Sequence, residues 1–285
     1  MKKLLTKISG MILAVICMFS LTACGDNLLI GKEFTAATSQ MDALTKLEKG
    51  EADVAVIDSV MAGYYTSTGE YATKMQIVEG LVLAEESYGI AAKKGNDALI
   101  SKINEALIAI RTTGYSSVAN QYGLTSSIAL TNETTNPKAS ANDDSWNNVV
   151  NSGSLVIGYT LFAPIAFEEN NELTGFDIEL AKKVVEWLNA EYSVNISLDF
   201  QLIEWSTKEA KLEDGTIDLV WNGMTITPER EAGMCISIPY LYNKQVAVIL
   251  KEDASKYTDK ESMKNAIMTA EKGSAGETVI VGEEE

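Results

Sequence analysis

Apolar residues recur along the chain at two spacings, one typical of helices and one typical of strands. Helices are predicted where apolar residues recur every three or four positions, at residues 41–47, 99–110 and 180–188. Strands are predicted where the apolar residues form short runs or alternate with polar ones, at residues 53–57, 155–157 and 194–200. Because the two kinds of element alternate, the pattern indicates an α/β fold.

One polar stretch interrupts this alternation. Residues 125–145 are rich in Ser, Thr, Asn and Asp and contain Pro137. Such a composition is typical of a connecting segment that adds little to a hydrophobic core. We therefore predict a linker, assigned to residues 125–143, between two blocks of unequal length.

A short internal repeat gives the first indication of a site. Residues 46–56 read KLEKGEADVAV and residues 211–221 read KLEDGTIDLVW. Each copy predicts a helix that ends at a glycine and leads into a buried strand. Polar residues come directly after these strands: Asp58 and Ser59 in one copy, and Asn222, Gly223 and Thr225 in the other. Open α/β sheets bind ligands beyond the carboxyl ends of strands, so the two copies could form a cleft between two lobes; two ordinary polar connections are the alternative.

Composition and charge exclude several classes of function. The 285 residues carry a net charge of −17, which would repel the phosphates of nucleic acids. The chain has no histidine, so Ser-His-Asp and Cys-His catalysis are impossible and the usual zinc sites nearly so. With 46% hydrophobic and 22% charged residues the composition is that of a globular protein. No metal and no cofactor are expected.

The first residues have the features of a targeting segment. Three lysines precede an apolar run that is too short for a comfortable membrane span but suits a signal peptide, assigned to residues 1–23. The sequence Leu-Thr-Ala-Cys that ends at Cys24 resembles a bacterial lipobox, which implies cleavage before Cys24 and acylation of its sulfur. An ordinary secretory signal with a chance cysteine is the alternative. Cys235 would then be the one remaining thiol and is predicted to be a small buried hydrophobe.

Arg230 is a candidate for binding an anion. It lies eight residues after Asn222, on the predicted first turn of a helix. A guanidinium group can pair both oxygens of a carboxylate, and nearby backbone N–H groups would add charge-assisted hydrogen bonds. A solvated surface arginine is the alternative from the sequence alone.

Several ordered motifs resemble one protein family. They are Gly158-Tyr159, Phe162-Ala163-Pro164, ELTGFDIELAKKV (172–184), Trp205, GTIDLVWNGMTITPER (215–230), SIPY (237–240), GSAGE (273–277), VAVIDSV (54–60) and ESYGIAAKKGND (86–97). Together they closely resemble the extracellular amino-acid-binding proteins of bacterial ABC importers, solute-binding protein family 3. The resemblance implies a two-lobed periplasmic-binding fold of type II.

The order of these motifs differs from the family order, since the pieces that come late in the family come first here. The chain therefore resembles a circular permutant in which residues 144–285 would be followed by residues 28–124. Lobe one would be formed by residues 144–242 and 87–124, and lobe two by residues 243–285 and 28–86, with hinges near Tyr242 and Ser87. A tandem array, in which each half pairs with a neighbouring copy in a swapped dimer, is the alternative.

The resemblance also implies roles for individual residues. Arg230 would pair the α-carboxylate of an amino acid, with the backbone N–H groups of Thr225 and Ala275. Asp58, the Gly223 carbonyl and the Thr225 hydroxyl would hold the α-ammonium group. Phe162 and Trp205 would form aromatic walls, although each could instead be a core aromatic. The expected ligand-binding set is Asp58, Phe162, Trp205, Asn222, Gly223, Thr225, Arg230, Ser274 and Ala275.

The functional expectation is a binding protein anchored by lipid to the outer face of the membrane, which presents a free amino acid to an ABC permease. Members for basic amino acids often carry an acid after the first strand, but residues 159–161 are Tyr-Thr-Leu, so a neutral polar ligand is favoured. Asp58 could instead cap a helix that begins at Ser59. A dehydratase-like enzyme, with Glu277 and Glu204 as candidate acids, and a sensory binding module are the alternatives; the chain is not expected to be an enzyme.

Overall fold

A computed structural model describes residues 28–68 and 70–282, and these residues form twelve strands and nine α-helices. The strands are β1 Glu33–Ala37, β2 Val54–Asp58, β3 Met75–Ile77, β4 Ala84–Lys93, β5 Ser154–Tyr159, β6 Phe167–Glu169, β7 Glu172–Thr174, β8 Ser197–Leu202, β9 Leu219–Thr225, β10 Met234–Ile236, β11 Leu241–Leu250 and β12 Ile267–Glu271. The helices are α1 Gln40–Glu48, α2 Ser59–Ser67, α3 Asp97–Ala109, α4 Ser116–Gln121, α5 Ser145–Ser152, α6 Phe176–Tyr192, α7 Lys208–Glu213, α8 Pro228–Gly233 and α9 Ala275–Val281. The predicted α/β class is confirmed.

The main sheet has two halves of the same construction, in the strand order β1-β12-β2-β11-β4-β9-β5-β8. In one half β1, β12 and β2 are parallel and β2 pairs with the antiparallel strand β11. In the other half β8, β5 and β9 are parallel and β9 pairs with the antiparallel strand β4. We call the half that contains β5, β8 and β9 lobe one and the half that contains β1, β2 and β12 lobe two.

Two long strands join the lobes. The first parts of β4 and β11 pair with each other in antiparallel register, so that Ser87 faces Tyr242. The strands then separate: the later residues of β4 pair with β9 in lobe one, and Gln245 to Val248 of β11 pair with β2 in lobe two. The two positions at which hinges are expected therefore lie opposite each other, and the bending of the strands there stays a prediction.

The internal repeat occupies equivalent places in the two lobes. Gly50 after α1 and Gly215 after α7 have φ values of 72° and 77°, a region that is favourable for glycine and costly for other residues. Each glycine leads into the strand next to the joining pair, β2 in lobe two and β9 in lobe one. The helix end and the buried strand predicted for each copy are thus confirmed.

An aspartate fixes the start of each repeated strand. Asp53 accepts a hydrogen bond from the backbone N–H of Ile267 at 2.8 Å, and its own N–H donates to the Ile267 carbonyl at 2.8 Å. In lobe one the corresponding bonds join Asp218 and Val156, at 2.8 Å and 2.9 Å. Each aspartate therefore links its strand to the parallel neighbour, β12 or β5.

The predicted strand at residues 194–200 is wrong in its first part. Strand β8 begins only at Ser197. The Asn189 side chain accepts from the Ile196 N–H at 2.8 Å and donates to the Ile196 carbonyl at 2.9 Å, so the backbone of Ile196 is already paired with helix α6. The alternating apolar residues are there, but the hydrogen bonds of a strand are not.

The polar stretch before α5 is held against lobe one. Asn136 donates to the Ser101 carbonyl at 3.0 Å, and Lys138 pairs with Asp97. Cys235 lies on β10 and is buried, as predicted, and burial raises the pKa of its thiol to about 12. The buried thiol is therefore a core side chain and not a reactive group.

The first and last described segments lie side by side. The Leu29 N–H donates to the Ile280 carbonyl at 2.7 Å, and Lys32 donates to the Ala266 carbonyl at 2.9 Å. The expected signal peptide and Cys24 lie outside the described residues. In residues 28–68 and 70–282 no helix has the length and apolar character needed to cross a membrane.

Candidate functional site

A narrow cavity lies where the two lobes face each other. Its unfilled space is about 280 Å³, part of it open to solvent. All nine residues of the expected ligand-binding set line this cavity, together with Gln40, Thr160 and Glu271. The structure thus brings the expected residues together, and their role in binding stays a prediction.

Gly223 lies near the end of strand β9 and lines the cavity. Its φ is +61°, and a Cβ atom there would lie 2.8 Å from Cε1 of Phe162 and 3.1 Å from Tyr88. The Gly223 N–H donates to Oδ2 of Asp177 at 2.8 Å, and the Tyr240 hydroxyl donates to the same oxygen at 2.8 Å. Only glycine fits here, and Asp177 holds the peptide in place.

Asp177 is an unusual support because it is a buried acid. Its exposed fraction is 1%, and burial raises the pKa of its carboxyl to about 7. The two hydrogen bonds to Oδ2 favour the charged form and oppose this shift. The group lies behind Gly223 and does not line the cavity.

Arg230 lies on the first turn of α8, as predicted. The hydroxyl of Thr227 caps this helix by accepting from the Arg230 N–H at 3.2 Å. The guanidinium donates to the Thr225 carbonyl at 2.8 Å in its own lobe and to the Gly273 carbonyl at 3.0 Å in lobe two. Burial lowers the pKa of Arg230.

The contacts of the Arg230 guanidinium leave it able to bind an anion. Within the described residues no carboxylate oxygen lies within 4.0 Å of its guanidinium. Its two hydrogen bonds to backbone carbonyls leave further N–H donors of the fork free for a ligand at the cavity. A partly buried cation with neutral partners is an attractive site for a carboxylate.

Asp58 is the opposing acid, at the carboxyl end of β2 in lobe two. It stands at the cap position of α2 but makes no capping bond with its side chain, so the capping alternative is wrong. Its carboxylate instead accepts from Gln40, from Asn243 and, at 2.9 Å, from Gln245. These amides fix its position at the edge of the cavity.

Glu86 forms a second carboxylate beside Asp58. It accepts from Asn243, from Gln245 at 2.8 Å and from the Thr225 hydroxyl at 2.9 Å. Burial and the neighbouring Glu86 raise the pKa of Asp58 well above its ordinary value. The pair lies at the joining strands, so it links lobe one, through Thr225, to lobe two, through Asp58.

The two aromatic candidates are buried and line the cavity. The exposed fraction is 4% for Phe162 and 6% for Trp205. Phe162 packs against Gly223, and the Lys208 ammonium lies 4.8 Å from the centre of a Trp205 ring. Each is therefore both part of a lobe one core and part of the cavity wall.

Ser274 and Ala275 begin helix α9 at the other side of the cavity. The Ser274 hydroxyl accepts from the Glu277 N–H at 3.2 Å, and the Glu277 carboxylate accepts from the Gly273 N–H. Glu277 is thus part of a reciprocal helix cap. Neither Glu277 nor Glu204 lines the cavity, so the two candidate acids of the enzyme alternative lie outside it.

Sequence reasoning missed Gln40, Thr160, Glu271 and the neighbouring Glu86. Glu271 is the last residue of β12, and Thr160 comes directly after β5, so the rule that ligands bind at strand ends applied to both. In the described part of the chain there is no cluster of His, Cys, Asp and Glu able to hold a metal ion.

One protein-family model matches part of the chain. Residues 155–273, which contain Phe162, Trp205 and Arg230, match the model of bacterial extracellular solute-binding proteins, family 3. The matched segment is thus similar to the family 3 solute-binding proteins. The family 3 resemblance that the sequence indicated is thereby confirmed, and the order of the remaining segments stays untested.

Individual relatives of the chain are named as amino-acid-binding proteins. The chain is 28% identical over 49% of its length to the probable amino-acid-binding protein YxeM of Bacillus subtilis, and 29% identical over 40% to the L-cystine-binding protein TcyJ of Escherichia coli. These matches cover 48% and 41% of the relatives, so the chain spans about half or less of the length of the curated relatives it matches.

A solved structure also matches in part. It is a substrate-binding protein of an ABC uptake transporter from Streptococcus pneumoniae with bound histidine, 36% identical, with 32% of this chain and 35% of that chain covered. The TM-score of this match is 0.27.

Proposed function

We propose that this chain captures a free amino acid in the cleft between its lobes, outside the cell, and presents it to the permease of an ABC importer. One observation carries the proposal. Arg230 in lobe one is a partly buried arginine with no carboxylate partner among the described residues, Asp58 in lobe two is a buried acid, and both line the same narrow cavity. An amino acid carries the two complementary charges on adjacent groups.

Binding would join the lobes. The α-carboxylate would take the free donors of Arg230, and the α-ammonium would donate to Asp58 and to the acceptors of Gly223 and Thr225. Since these groups belong to different lobes, the ligand stabilises the arrangement in which the lobes are close. The closed form is then the signal that a permease reads.

We further propose that acylation of Cys24 anchors the protein to the outer face of the membrane. We also propose that the chain is a circular permutant. The hydrogen bond between Leu29 and Ile280 supports this, because it places the two segments that the family order would join next to each other. The absence of an acid in residues 159–161 supports a neutral polar ligand.

A thermal-shift scan of the purified chain against the twenty amino acids tests this proposal, with the monomer mass checked on the same sample. A ligand at about a thousand times its dissociation constant adds roughly 4 kcal/mol to the free energy of unfolding. We expect a shift of several degrees for one chemical class of amino acid on a monomer. A folded protein that no amino acid shifts would contradict the proposal.

A further inference from the structure

Glu271 is a buried acid that lines the cavity. None of the contacts proposed above for the ligand's α-carboxylate and α-ammonium groups involves it. It lies at the end of β12, its exposed fraction is 5%, and it lines the cavity from lobe two. Its Oε1 atom is buried and has no hydrogen-bond partner. A buried acceptor without a donor costs free energy, and a ligand that supplies the donor recovers it.

The surroundings of Glu271 decide what that donor can be. Asp58 and Arg230 line the same cavity and are assigned to the ligand's charged main-chain groups. The positive charge of Lys208 acts on Glu271, but the Lys208 ammonium is paired with Glu209 at 3.0 Å and donates to the Gly273 carbonyl at 3.2 Å. Lys208 therefore leaves Oε1 free, while its positive charge disfavours a second cation beside it.

We propose that Glu271 determines specificity by accepting a hydrogen bond from an N–H group at the end of the ligand's side chain. The proposal rests on the amino-acid-binding function above. Side chains that end in a carboxamide fit best, because they bring the N–H donor without a charge. Cationic side chains share the N–H chemistry and are separated from amides by the experiment.

The protonation state of Glu271 agrees with a neutral ligand group. Burial raises the pKa of its carboxyl to about 8, with Lys208 opposing the shift, so the acid is largely neutral at pH 7. A neutral carboxyl group offers one donor and one acceptor. A carboxamide offers the matching acceptor and donor, so the two groups can form a reciprocal pair.

Two substitutions of Glu271 show whether the ligand needs a hydrogen-bond acceptor or a negative charge at residue 271. Glu271→Gln keeps a carbonyl acceptor of the same size, whereas Glu271→Met keeps the approximate volume and removes both oxygens. Glu252→Gln, at an exposed position in lobe two, is the matched control for the loss of one acid. Thermal unfolding of each variant shows that it is folded before titration.

The experiment is calorimetric titration of the wild type and the three variants with asparagine, glutamine, arginine, lysine, alanine and serine. We expect a side-chain N–H ligand to bind best and to weaken at least tenfold in Glu271→Met, with alanine little affected. If the ligand is an amide, Glu271→Gln keeps its affinity within a few fold; if it is a cation, both variants lose it. Glu252→Gln binds as the wild type does.

Other outcomes overturn the inference. It is wrong if alanine or serine binds best, or if Glu271→Met leaves the ratio between N–H ligands and alanine unchanged. In both of these cases amino acids still bind, so the proposed function survives. If none of the six binds the folded wild type and the thermal shift comes from histidine or tryptophan, that amino acid takes the place of the N–H ligand in the same titrations. If the shift comes from an amino acid without a side-chain N–H group, only the inference fails; if none of the twenty gives a shift, both fail.

Discussion

The two lobes share a scaffold and differ at the strand ends. Each has three parallel strands beside a long antiparallel strand, and each repeats the unit of helix, glycine, aspartate and buried strand. Beyond the repeat they diverge: β2 ends at Asp58, whereas β9 contains Gly223 at a positive φ and leads to Arg230. The residues of the repeat therefore build the same scaffold in both lobes, and the residues after it place a basic group on one side of the cleft and an acidic group on the other.

We expect the largest effect on ligand binding from substitutions of Arg230 and Asp58, the basic and acidic residues that line the cavity from different lobes. Arg230→Lys keeps the positive charge but loses the planar fork, and Asp58→Asn removes the carboxyl group proposed to accept from the ligand's ammonium. We expect each change to weaken amino-acid binding by about a hundredfold, roughly 3 kcal/mol, measured by calorimetric titration. Arg111→Lys is the control, since among the described residues the Arg111 guanidinium donates to the Ile108 carbonyl and, weakly, to Asn132, and Arg111 does not line the cavity. An equal loss of affinity in Arg111→Lys would mean that the effect of Arg230→Lys is not specific to the cavity.

The aspartates of the repeat test what the lobes share. Asp53→Ala and Asp218→Ala each leave a strand N–H, of Ile267 or Val156, without its acceptor. We expect each to lower the free energy of unfolding by about 1–3 kcal/mol, by similar amounts, in urea denaturation. If only one of the two substitutions lowers the free energy of unfolding, the two aspartates are equivalent in sequence but not in their contribution to stability.

The pH dependence of the free energy of unfolding tests whether the buried acids Glu271 and Asp177 have raised pKa values. The pKa is raised to about 8 for Glu271 and to about 7 for Asp177, so between pH 5 and 8 the folded state binds more protons than the unfolded state. Stability therefore falls as the pH rises through this range. We expect the melting temperature to fall by a few degrees, and by less in Glu271→Gln. A melting temperature that rises with pH in this range would be inconsistent with both shifts.

The smallest effect concerns the repeated glycines. Gly50→Ala and Gly215→Ala place a side chain at positive φ, although a Cβ atom would touch nothing within 4 Å at either position. We expect a loss of about 1 kcal/mol each, from backbone strain alone, by chemical denaturation. Gly63→Ala within helix α2 is the control and is expected to be neutral or stabilising, because alanine favours a helix.

The sequence was informative wherever local pattern decides the structure. Helical spacing and the repeat predicted α1, α3, α6 and the strand β2, and the family motifs marked nine residues that the fold brings to one cavity. The prediction failed for residues 194–196, where the Asn189 side chain takes the backbone hydrogen bonds that a strand would use. No periodicity of apolar residues encodes such a contact.

The missed residues depend on the order of strands in the sheet. Glu271 reaches the cavity because β12 lies between β1 and β2, so that its end comes near Asp58 and Gln40. Glu86 meets Asp58 because β4 and β11 run side by side where the lobes join. Both contacts arise from pairings between distant segments, which a single sequence does not display.

The central claim is that one amino acid bridges Arg230 and Asp58, and titration with truncated ligands tests it most directly. The best amino acid from the scan is compared with the same molecule lacking its α-carboxylate and with the one lacking its α-ammonium group. We predict that both truncated ligands bind about a hundredfold more weakly to the wild type, and that Arg230→Lys costs nothing further for the ligand without the carboxylate. A truncated ligand that binds as well as the whole amino acid would contradict the bridge.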